Sequence, residues 1–240
     1  MGTIKKIIQK NNRRVLISDF RKRNKNATGF PAHLKIEMTN KCNLYCIICP
    51  IRKMKRPVGF INVELFKSLI DQINKKTEFI YHHFMGESLL HPQLFEMIRY
   101  TKKKGILAGL STNATLLDND KADEMIGSGL DFLVISFDGG SQENYEKIRE
   151  LADYNTTLIN IINLLKKLNK NKTKLIPVVQ VIDYGLSEEN KKALFDLFSC
   201  GIMIKVPKDW AGEVDLEKHH NLVSDHTCSL PWIELSVMWD

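Results

Sequence analysis

The stretch Lys41-Cys42-Asn43-Leu44-Tyr45-Cys46-Ile47-Ile48-Cys49-Pro50 holds three of the chain's five cysteines in the spacing C-x3-C-x2-C. Cysteine thiolates ligate iron–sulfur clusters, and a cluster of four irons needs one ligand on each iron. Three close cysteines without a fourth nearby therefore indicate a cluster with one iron left open for chemistry. The alternatives are a structural zinc site, a disulfide pair or buried thiols. Zinc would favour C-x2-C pairs arriving in twos, and a structural site would need a fourth ligand.

The rest of the composition is that of a soluble globular chain. Its 240 residues are 43% hydrophobic and 26% charged, which is enough to bury a substantial core. The N-terminus lacks the apolar region of a signal peptide, and no apolar run approaches the ~20 residues of a membrane span. Clustered free cysteines without an export signal predict a cytoplasmic protein with no membrane contact.

The net charge of +7 is concentrated at the N-terminus. Residues 1–30 contain nine Lys or Arg against Asp19 alone, a net charge of +8, so residues 31–240 sum to −1. We interpret residues 1–30 as a basic N-terminal arm that is solvated and partly mobile. The alternative is a nucleic-acid-binding segment, in which the arm would neutralise phosphates.

Segments with strand and helix patterns alternate along the rest of the chain. Strands are predicted at 34–38, 78–84, 105–110, 131–137, 175–181 and 202–206. Helices are predicted at 62–73, 91–100, 117–126, 142–151, 157–168 and 188–198. This alternation predicts an α/β fold with a parallel sheet. The cysteines follow the first strand, and loops at that end of the strands carry the chemistry in α/β barrels.

Taken with Gly86-Glu87 and Ser136-Phe137-Asp138-Gly139 at two later strand ends, the cysteine motif resembles the radical S-adenosylmethionine (SAM) superfamily. The resemblance covers about residues 33 to 206. It implies a partial, six-stranded (β/α) TIM-like barrel and a 4Fe–4S cluster ligated by Cys42, Cys46 and Cys49. It further implies that SAM chelates the fourth iron and is cleaved reductively to a 5′-deoxyadenosyl radical, with flavodoxin or ferredoxin as the reductant.

The same resemblance suggests which residues contact SAM. Glu87 matches the acidic end of a Gly-Gly-Glu motif that binds the SAM ammonium, whereas Met85 departs from the first glycine of that motif. Gly86 leaves room for a ligand close to the backbone. Ile48 stands where the family usually has an aromatic residue. The remaining candidate contacts are polar side chains at strand ends, which turns and helix caps also favour: Ser111, Asn113, Ser136 and Asp138.

The C-terminal stretch around Cys228-Ser229-Leu230-Pro231-Trp232 resembles the opening of a SPASM or twitch extension, in which further cysteines hold an auxiliary cluster. We therefore expect a radical SAM core at residues 31–212 and the start of such an extension at residues 213–240, cut short at Asp240. Cys228 would then belong to an auxiliary iron–sulfur cluster of a longer form. The strand near Trp232 is expected to present unpaired backbone groups.

Two functions and one non-catalytic role are compatible with these features. Enzymes with such extensions oxidise, crosslink or epimerise peptide, protein or sugar-type substrates, which is the favoured interpretation. An RNA-modifying enzyme is favoured only by the basic arm, and we expect no nucleic-acid partner. A non-catalytic iron–sulfur protein would not need the polar strand ends.

Overall fold

The chain folds around one parallel β-sheet, seen in a computed structural model that describes residues 2–73, 75–138, 140–183, 186–198, 200–205 and 229–240. The described strands lie in the order β6-β5-β4-β3-β2-β1-β7, and every neighbouring pair is parallel. Their bounds are β1 His33–Ile36, β2 Phe79–Tyr81, β3 Leu107–Thr112, β4 Phe132–Ser136, β5 Ile176–Ile182, β6 Gly201–Lys205 and β7 Glu234–Val237. The predicted α/β class is confirmed.

Helices connect the strands, as parallel neighbours require. They are α1 Gly2–Arg21, α2 Val63–Ile73, α3 Leu94–Lys103, α4 Asn119–Gly127, α5 Gln142–Ile148, α6 Tyr154–Asn171, α7 Glu188–Leu197 and α8 Leu230–Ile233. The helix predicted from residue 91 begins at Leu94, because a short 3-10 turn over Ser88–Leu90 precedes it. No described helix is both long and apolar enough to cross a membrane.

One face of the sheet packs against the helices and forms the hydrophobic core. Side chains alternate between the two faces of a strand, so every second residue enters this core. Leu34, Ile80, Leu110 and Leu133 are at most 1% exposed and belong to one cluster with helical residues such as Phe66. Burying apolar surface at about 25 cal/mol per Å² stabilises the sheet and helices together.

The opposite face, called the inner face below, contains residues aligned in register across five strands: Lys35, Tyr81, Gly109, Phe132 and Ile176. None of these belongs to the hydrophobic core. Position 109 has no room for a side chain, since an added Cβ would lie 2.9 Å from the Tyr81 ring. Phe132 and Ile176 remain 37% and 52% exposed. The inner face is therefore an open surface of aromatic, aliphatic and polar groups.

The basic N-terminal segment is a helix packed against the body, so the prediction of a solvated, mobile arm is wrong for α1. Leu16 is fully buried. Asn12 exchanges two hydrogen bonds with the main chain of Phe30, at 2.7 and 2.8 Å, and Gln9 donates to the Thr77 carbonyl at 2.8 Å. Phe30 and Thr77 precede β1 and β2. Helix α1 thus lies at the end of the sheet opposite the cysteines.

The sheet has one strand more than predicted. Strand β7 pairs with β1 along its length, and the Glu37 amide donates to the Val237 carbonyl at 2.9 Å. Lys35 and Glu234 add an ion pair at 2.6 Å. A seventh strand therefore joins the six predicted ones, and β7 is the outermost strand of the described sheet, so its other edge is unpaired there, as expected. Residues 206–228, which include Cys228, lie outside the described part of the chain.

Candidate metal and cofactor site

The cysteine loop follows β1 directly and turns its thiols inward. Cys46 is 8% exposed, and Cys42 and Cys49 are half-buried. The neighbouring side chains of Tyr45 and Ile47 point outward and are 47% and 39% exposed. One side of the loop therefore presents the thiols to the interior, and the other side faces solvent.

Main-chain contacts with the segment after α5 hold this loop in place. The amides of Tyr45 and Ile47 donate to the carbonyls of Glu150 and Ile148 at 3.1 and 3.0 Å. Arg52 donates to the Tyr45 carbonyl, forms an ion pair with Glu150, and places its guanidinium 4.2 Å from the centre of the Tyr45 ring. Sequence-distant residues thus fix the loop that contains the cysteines.

Gly86 lies against the main chain at the start of the same loop. Its φ of +73° is a conformation that favours glycine. An added Cβ would lie 2.5 Å from the Thr39 carbonyl oxygen and 2.6 Å from that of Lys41. The adjacent Glu87 amide donates to the Lys41 carbonyl at 2.8 Å. The close approach at Gly86 is therefore to the cysteine loop, whereas the sequence predicted an approach to a ligand.

Glu87 is 1% exposed and accepts three hydrogen bonds. They come from the Leu89 amide at 3.0 Å, the Thr112 hydroxyl at 2.9 Å and the Asn113 amide at 2.8 Å. A carboxylate offers about four acceptor positions, so one is left. Burial raises the pKa of Glu87, and these hydrogen bonds oppose that shift. No Lys or Arg of the described residues forms an ion pair with it.

Asn113 joins the end of β3 to the cysteine loop. Its amide group donates to Asn43 at 3.1 Å, and Asn43 in turn donates to the Thr115 hydroxyl at 2.7 Å. Ser111, two residues earlier and 7% exposed, lies close to Tyr81, where it opposes the rise that burial causes in the pKa of the Tyr81 hydroxyl. Of the two predicted residues, Asn113 therefore contacts the cysteine loop directly.

Asp138 forms a buried ion pair, which differs from the ligand contact expected of it. Its carboxylate is fully buried, accepts from Arg149 Nε at 2.9 Å and Nη2 at 2.6 Å, and accepts from the Ile182 amide at 2.6 Å. Ser136, the other residue proposed at this strand end, is half-buried and pairs in register with Gln180 of β5.

Arg149 is a site residue that sequence reasoning missed. Its side chain is 8% exposed and lies close enough to Cys46 and Cys49 to affect their pKa values. Burial opposes its charge, but Asp138 and Cys46 hold the pKa of the guanidinium above its ordinary value. Arg149 follows Asp138 by eleven residues in the sequence, and no local motif marks it.

Two adjacent histidines at the end of β2 differ in their surroundings. His82 is fully buried on the helix side, with Nδ1 3.1 Å from the Gly109 carbonyl and Nε2 3.0 Å from the Thr101 hydroxyl. His83 lies beside Tyr81 on the inner face, and its buried Nδ1 has no hydrogen-bond partner among the described residues. Burial lowers the pKa of each to about 4, so both are neutral at pH 7.

The comparisons with known proteins define the class. The sequence profile of the radical SAM superfamily matches residues 36–197, so the chain belongs to this superfamily. It is 34% identical, over 44% of its length and 30% of the relative's, to the tungsten-containing aldehyde ferredoxin oxidoreductase cofactor-modifying protein of Pyrococcus furiosus. It is 28% identical to the AdoMet-dependent heme synthase of Methanosarcina barkeri, over 58% of this chain and 40% of that protein.

Solved structures agree on the fold. Streptococcus suis SuiB bound to the precursor peptide SuiA superposes with a TM-score of 0.69 over 88% of this chain and 47% of that one, at 16% identity. The chain spans less than half the length of SuiB and of the two relatives named above. The partial TIM-like architecture is that of the superfamily, whose enzymes use a 4Fe–4S cluster and SAM.

The residues of the loop fit such a cluster. Its ligands are thiolates bound to different irons, so they need not converge on one ion. No group of three or more His, Cys, Asp or Glu in the described residues is placed to hold a single metal ion. Burial raises the pKa of Cys42 to about 11 and also raises that of Cys46 and Cys49, while Arg149 opposes the shift at the latter two. Arg149 would therefore favour thiolates in an otherwise apolar setting.

Proposed function

We propose that this chain is the catalytic barrel of a radical SAM enzyme that acts on a peptide or protein substrate. In this proposal Cys42, Cys46 and Cys49 ligate three irons of a 4Fe–4S cluster. When bound and reduced, the cluster supplies the electron that cleaves SAM, and the resulting 5′-deoxyadenosyl radical takes a hydrogen atom from the substrate. The observation that carries the proposal is the inward turn of the three thiols towards buried groups of both charges, Glu87 and Arg149.

Glu87 is the proposed partner of the SAM ammonium. A carboxylate this deeply buried is costly without a cation, and its fourth acceptor position is open. A ligand ammonium would supply both the charge and the hydrogen bond. Ser111, Asn113 and Ser136 are the proposed hydroxyl and amide contacts for the rest of SAM, and Gly86 positions the loop that contains the thiols.

The proposed substrate lies on the inner face. Tyr81 and His83 lie on this face near the end of β2, on the same side of the sheet as the cysteines, whereas Leu107, Phe132 and Ile176 begin their strands and lie at the other end. A surface with polar groups close to the cysteines suits a peptide side chain. The fold likeness to SuiB is compatible with this substrate class. A sugar-type substrate is the alternative, and the open acceptor and donor positions of His83 would serve either.

The domain boundaries remain part of the proposal. Residues 31–212 would form the core, and residues 213–240 would begin a SPASM-like extension in which Cys228 serves an auxiliary cluster. The radical SAM reaction also needs an external reductant of the flavodoxin or ferredoxin class. An RNA-modifying role is less favoured, because the basic helix α1 lies at the opposite end of the sheet from the cysteines.

The proposal is tested by anaerobic reconstitution followed by measurement of 5′-deoxyadenosine. The wild-type chain should form it from SAM, and Glu87→Gln should bind SAM more weakly by about 1–3 kcal/mol while keeping its iron, since one charged hydrogen bond is lost. Ser88 neighbours Glu87 but donates to the His82 carbonyl, so Ser88→Ala is the matched control. Wild-type SAM affinity in Glu87→Gln would remove this residue from the site. Hydrogen transfer from deuterated peptide into 5′-deoxyadenosine would establish the substrate class.

A further inference from the structure

His83 is half-buried and forms no hydrogen bond with the residues that the structure describes. Its Nδ1 is shielded from solvent, whereas Nε2 is not, so Nε2 is the ring nitrogen that a ligand can reach. The neighbouring His82 differs, because its Nδ1 and Nε2 both have partners, at 3.1 and 3.0 Å. A shielded polar atom without a partner costs free energy, so the hydrogen bonds of the fold do not explain His83.

The His83 ring lies on the inner face of the sheet, at the end nearer the cysteines. It meets the Tyr81 ring edge-on, with the ring centres 6.0 Å apart and the planes at 85°. Tyr81 is the last residue of β2 and is in register with Lys35 on the inner face. Glu87, whose amide binds the Lys41 carbonyl of the cysteine loop, follows His83 closely in the chain. The imidazole is therefore placed between the open sheet surface and the cysteine loop.

The surroundings of the ring indicate which nitrogen of His83 carries the proton. Burial and the positive charge of Lys35 lower the pKa of His83 to about 4, so the ring is neutral at pH 7 and holds one ring N–H. A proton on Nδ1 would be a shielded N–H without an acceptor among the described residues, which native proteins rarely leave. A proton on Nε2 can be bonded by water or by a ligand. The neutral ring is therefore expected to present Nε2–H as a donor.

The charges around His83 indicate which acceptor suits this donor. Lys35, the cation that acts on His83, forms an ion pair with Glu234 at 2.6 Å, so its charge is already balanced. A ligand carboxylate would add a negative charge that this pair does not neutralise, and burying such a charge is costly. A carbonyl oxygen accepts a hydrogen bond from N–H without that cost. The group that fits is therefore the carbonyl of a peptide bond or of a side-chain amide.

We propose that His83 is a substrate-binding residue that donates a hydrogen bond from Nε2 to an uncharged carbonyl oxygen of the peptide or protein substrate. This role rests on the proposed function, because it takes the inner face as the position of the substrate. The bond would hold the carbonyl beside the cysteine loop and orient the neighbouring C–H bonds towards the place where SAM is cleaved. Substrates without the acceptor would be disfavoured, since they would leave the donor unpaired.

Nitrogen-15 magnetic resonance of the full chain with labelled histidines reports the tautomer and the binding together. The chain is measured with its reconstituted, oxidised cluster and without a cluster, and His83→Phe assigns the His83 resonances. We expect a neutral His83 ring with its proton on Nε2 at pH 7. N-methylacetamide, a probe with one peptide-like carbonyl, should shift the Nε2–H resonance of His83 and leave the resonances of His82 in place. Acetate, a charged probe of similar size, should shift the His83 resonance less.

The adjacent His82 provides a matched control for stability, because the same substitution removes the same two nitrogens. His82→Phe loses two buried hydrogen bonds and should lower Tm by several degrees. His83→Phe loses no hydrogen bond to a described residue, so Tm should stay the same or rise. If His83→Phe lowered Tm as much as His82→Phe, His83 would be a structural residue and the proposed role would be wrong.

Hydrogen transfer gives a further readout of the donor position. With a deuterated peptide that the wild-type chain accepts, His83→Phe should reduce deuterium transfer into 5′-deoxyadenosine about two- to tenfold, the loss expected for one hydrogen bond. His83→Gln should recover more of the transfer than His83→Asn, because the Gln amide nitrogen reaches the position of Nε2 and the Asn amide nitrogen that of Nδ1. Better recovery in His83→Asn would contradict donation from Nε2.

Three results of the resonance experiment would overturn the role of His83: a proton on Nδ1 at pH 7, no response to N-methylacetamide, or a larger response to acetate. None of them depends on the cluster, because the resonances are read with and without it. If the wild-type chain bound no iron or did not cleave SAM, the proposed function would fail even where His83 binds the amide. A chain that cleaves SAM while His83 ignores the probe would remove the role of His83 alone.

Discussion

The buried ion pair between Asp138 and Arg149 should be among the most sensitive points of the structure. Arg149 donates from Nε and Nη2 to one carboxylate oxygen, and the two side chains are 0% and 8% exposed. Arg149→Met would leave the Asp138 carboxylate buried without its counter-charge. Breaking a buried pair from one side costs about 3–5 kcal/mol. For a chain of this size, each kcal/mol corresponds to about 2–4 °C in Tm, so Tm should fall by roughly 6–20 °C.

A second variant separates the lost charge from the lost packing. In Asp138→Asn/Arg149→Met no carboxylate is left without its counter-charge at position 138, and the oxygen of the introduced amide can still accept from the Ile182 amide that Asp138 binds at 2.6 Å. We expect this double variant to be more stable than Arg149→Met alone. Thermal unfolding by circular dichroism, without the cluster, gives both values. The reasoning would be refuted if Arg149→Met lowered the free energy of unfolding by less than about 1 kcal/mol. It would also be refuted if the loss in the double variant equalled the summed losses of Arg149→Met and Asp138→Asn.

Three further predictions follow from other buried contacts. Gly86→Ala should reduce the free energy of unfolding by at least about 1–2 kcal/mol, because residue 86 has a left-handed backbone conformation. It should also bind less iron, because the added Cβ would collide with the carbonyls that lead into the cysteine loop. Normal iron content would contradict this. Leu16→Ala should destabilise the chain by about 2–5 kcal/mol in denaturant melts, and an effect near zero would favour the solvated, partly mobile arm predicted from the sequence. His82, whose folded pKa is about 4 against 6.5 when unfolded, binds protons first in the unfolded state, so its contribution to stability should be lost as pH falls from about 6.5 to about 4. His82→Gln should flatten that part of the stability profile relative to the wild-type chain, and an unchanged profile would contradict this.

The sequence could predict the alternation of strands and helices because these elements contain local patterns. Apolar residues repeat along each strand and helix, and polar residues stand where the strands end. The cysteine spacing, likewise local, identified the loop that the structure places at the end of β1. The position of Gly86 beside that loop could not be derived, because it depends on the main chain around Thr39 and Lys41.

What was missed depends on contacts between distant residues. Nine basic residues favoured a solvated arm, whereas the burial of Asn12, Leu16 and Asp19 becomes clear only when their partners are known. Their spacing of four and three residues does place them on one helix face, a signal that could have predicted a docked helix. Arg149 and the orphan nitrogen of His83 gave no local signal at all. Strand β7 was correctly expected to be a strand, but its partner, β1, lies about two hundred residues away.

The most direct test of the central claim is electron paramagnetic resonance of the reduced, anaerobically reconstituted chain before and after SAM is added. We predict about four irons per chain and a spectrum that changes when SAM binds. Both the change and the iron should disappear when Cys42, Cys46 and Cys49 are all replaced by alanine. Cys200 directly precedes β6, and its thiol is half-buried. Cys200→Ala should leave both the spectral change and the iron content intact. An unchanged spectrum on adding SAM would contradict SAM binding at the cluster, and equal iron in the triple variant would contradict its ligation by these three cysteines.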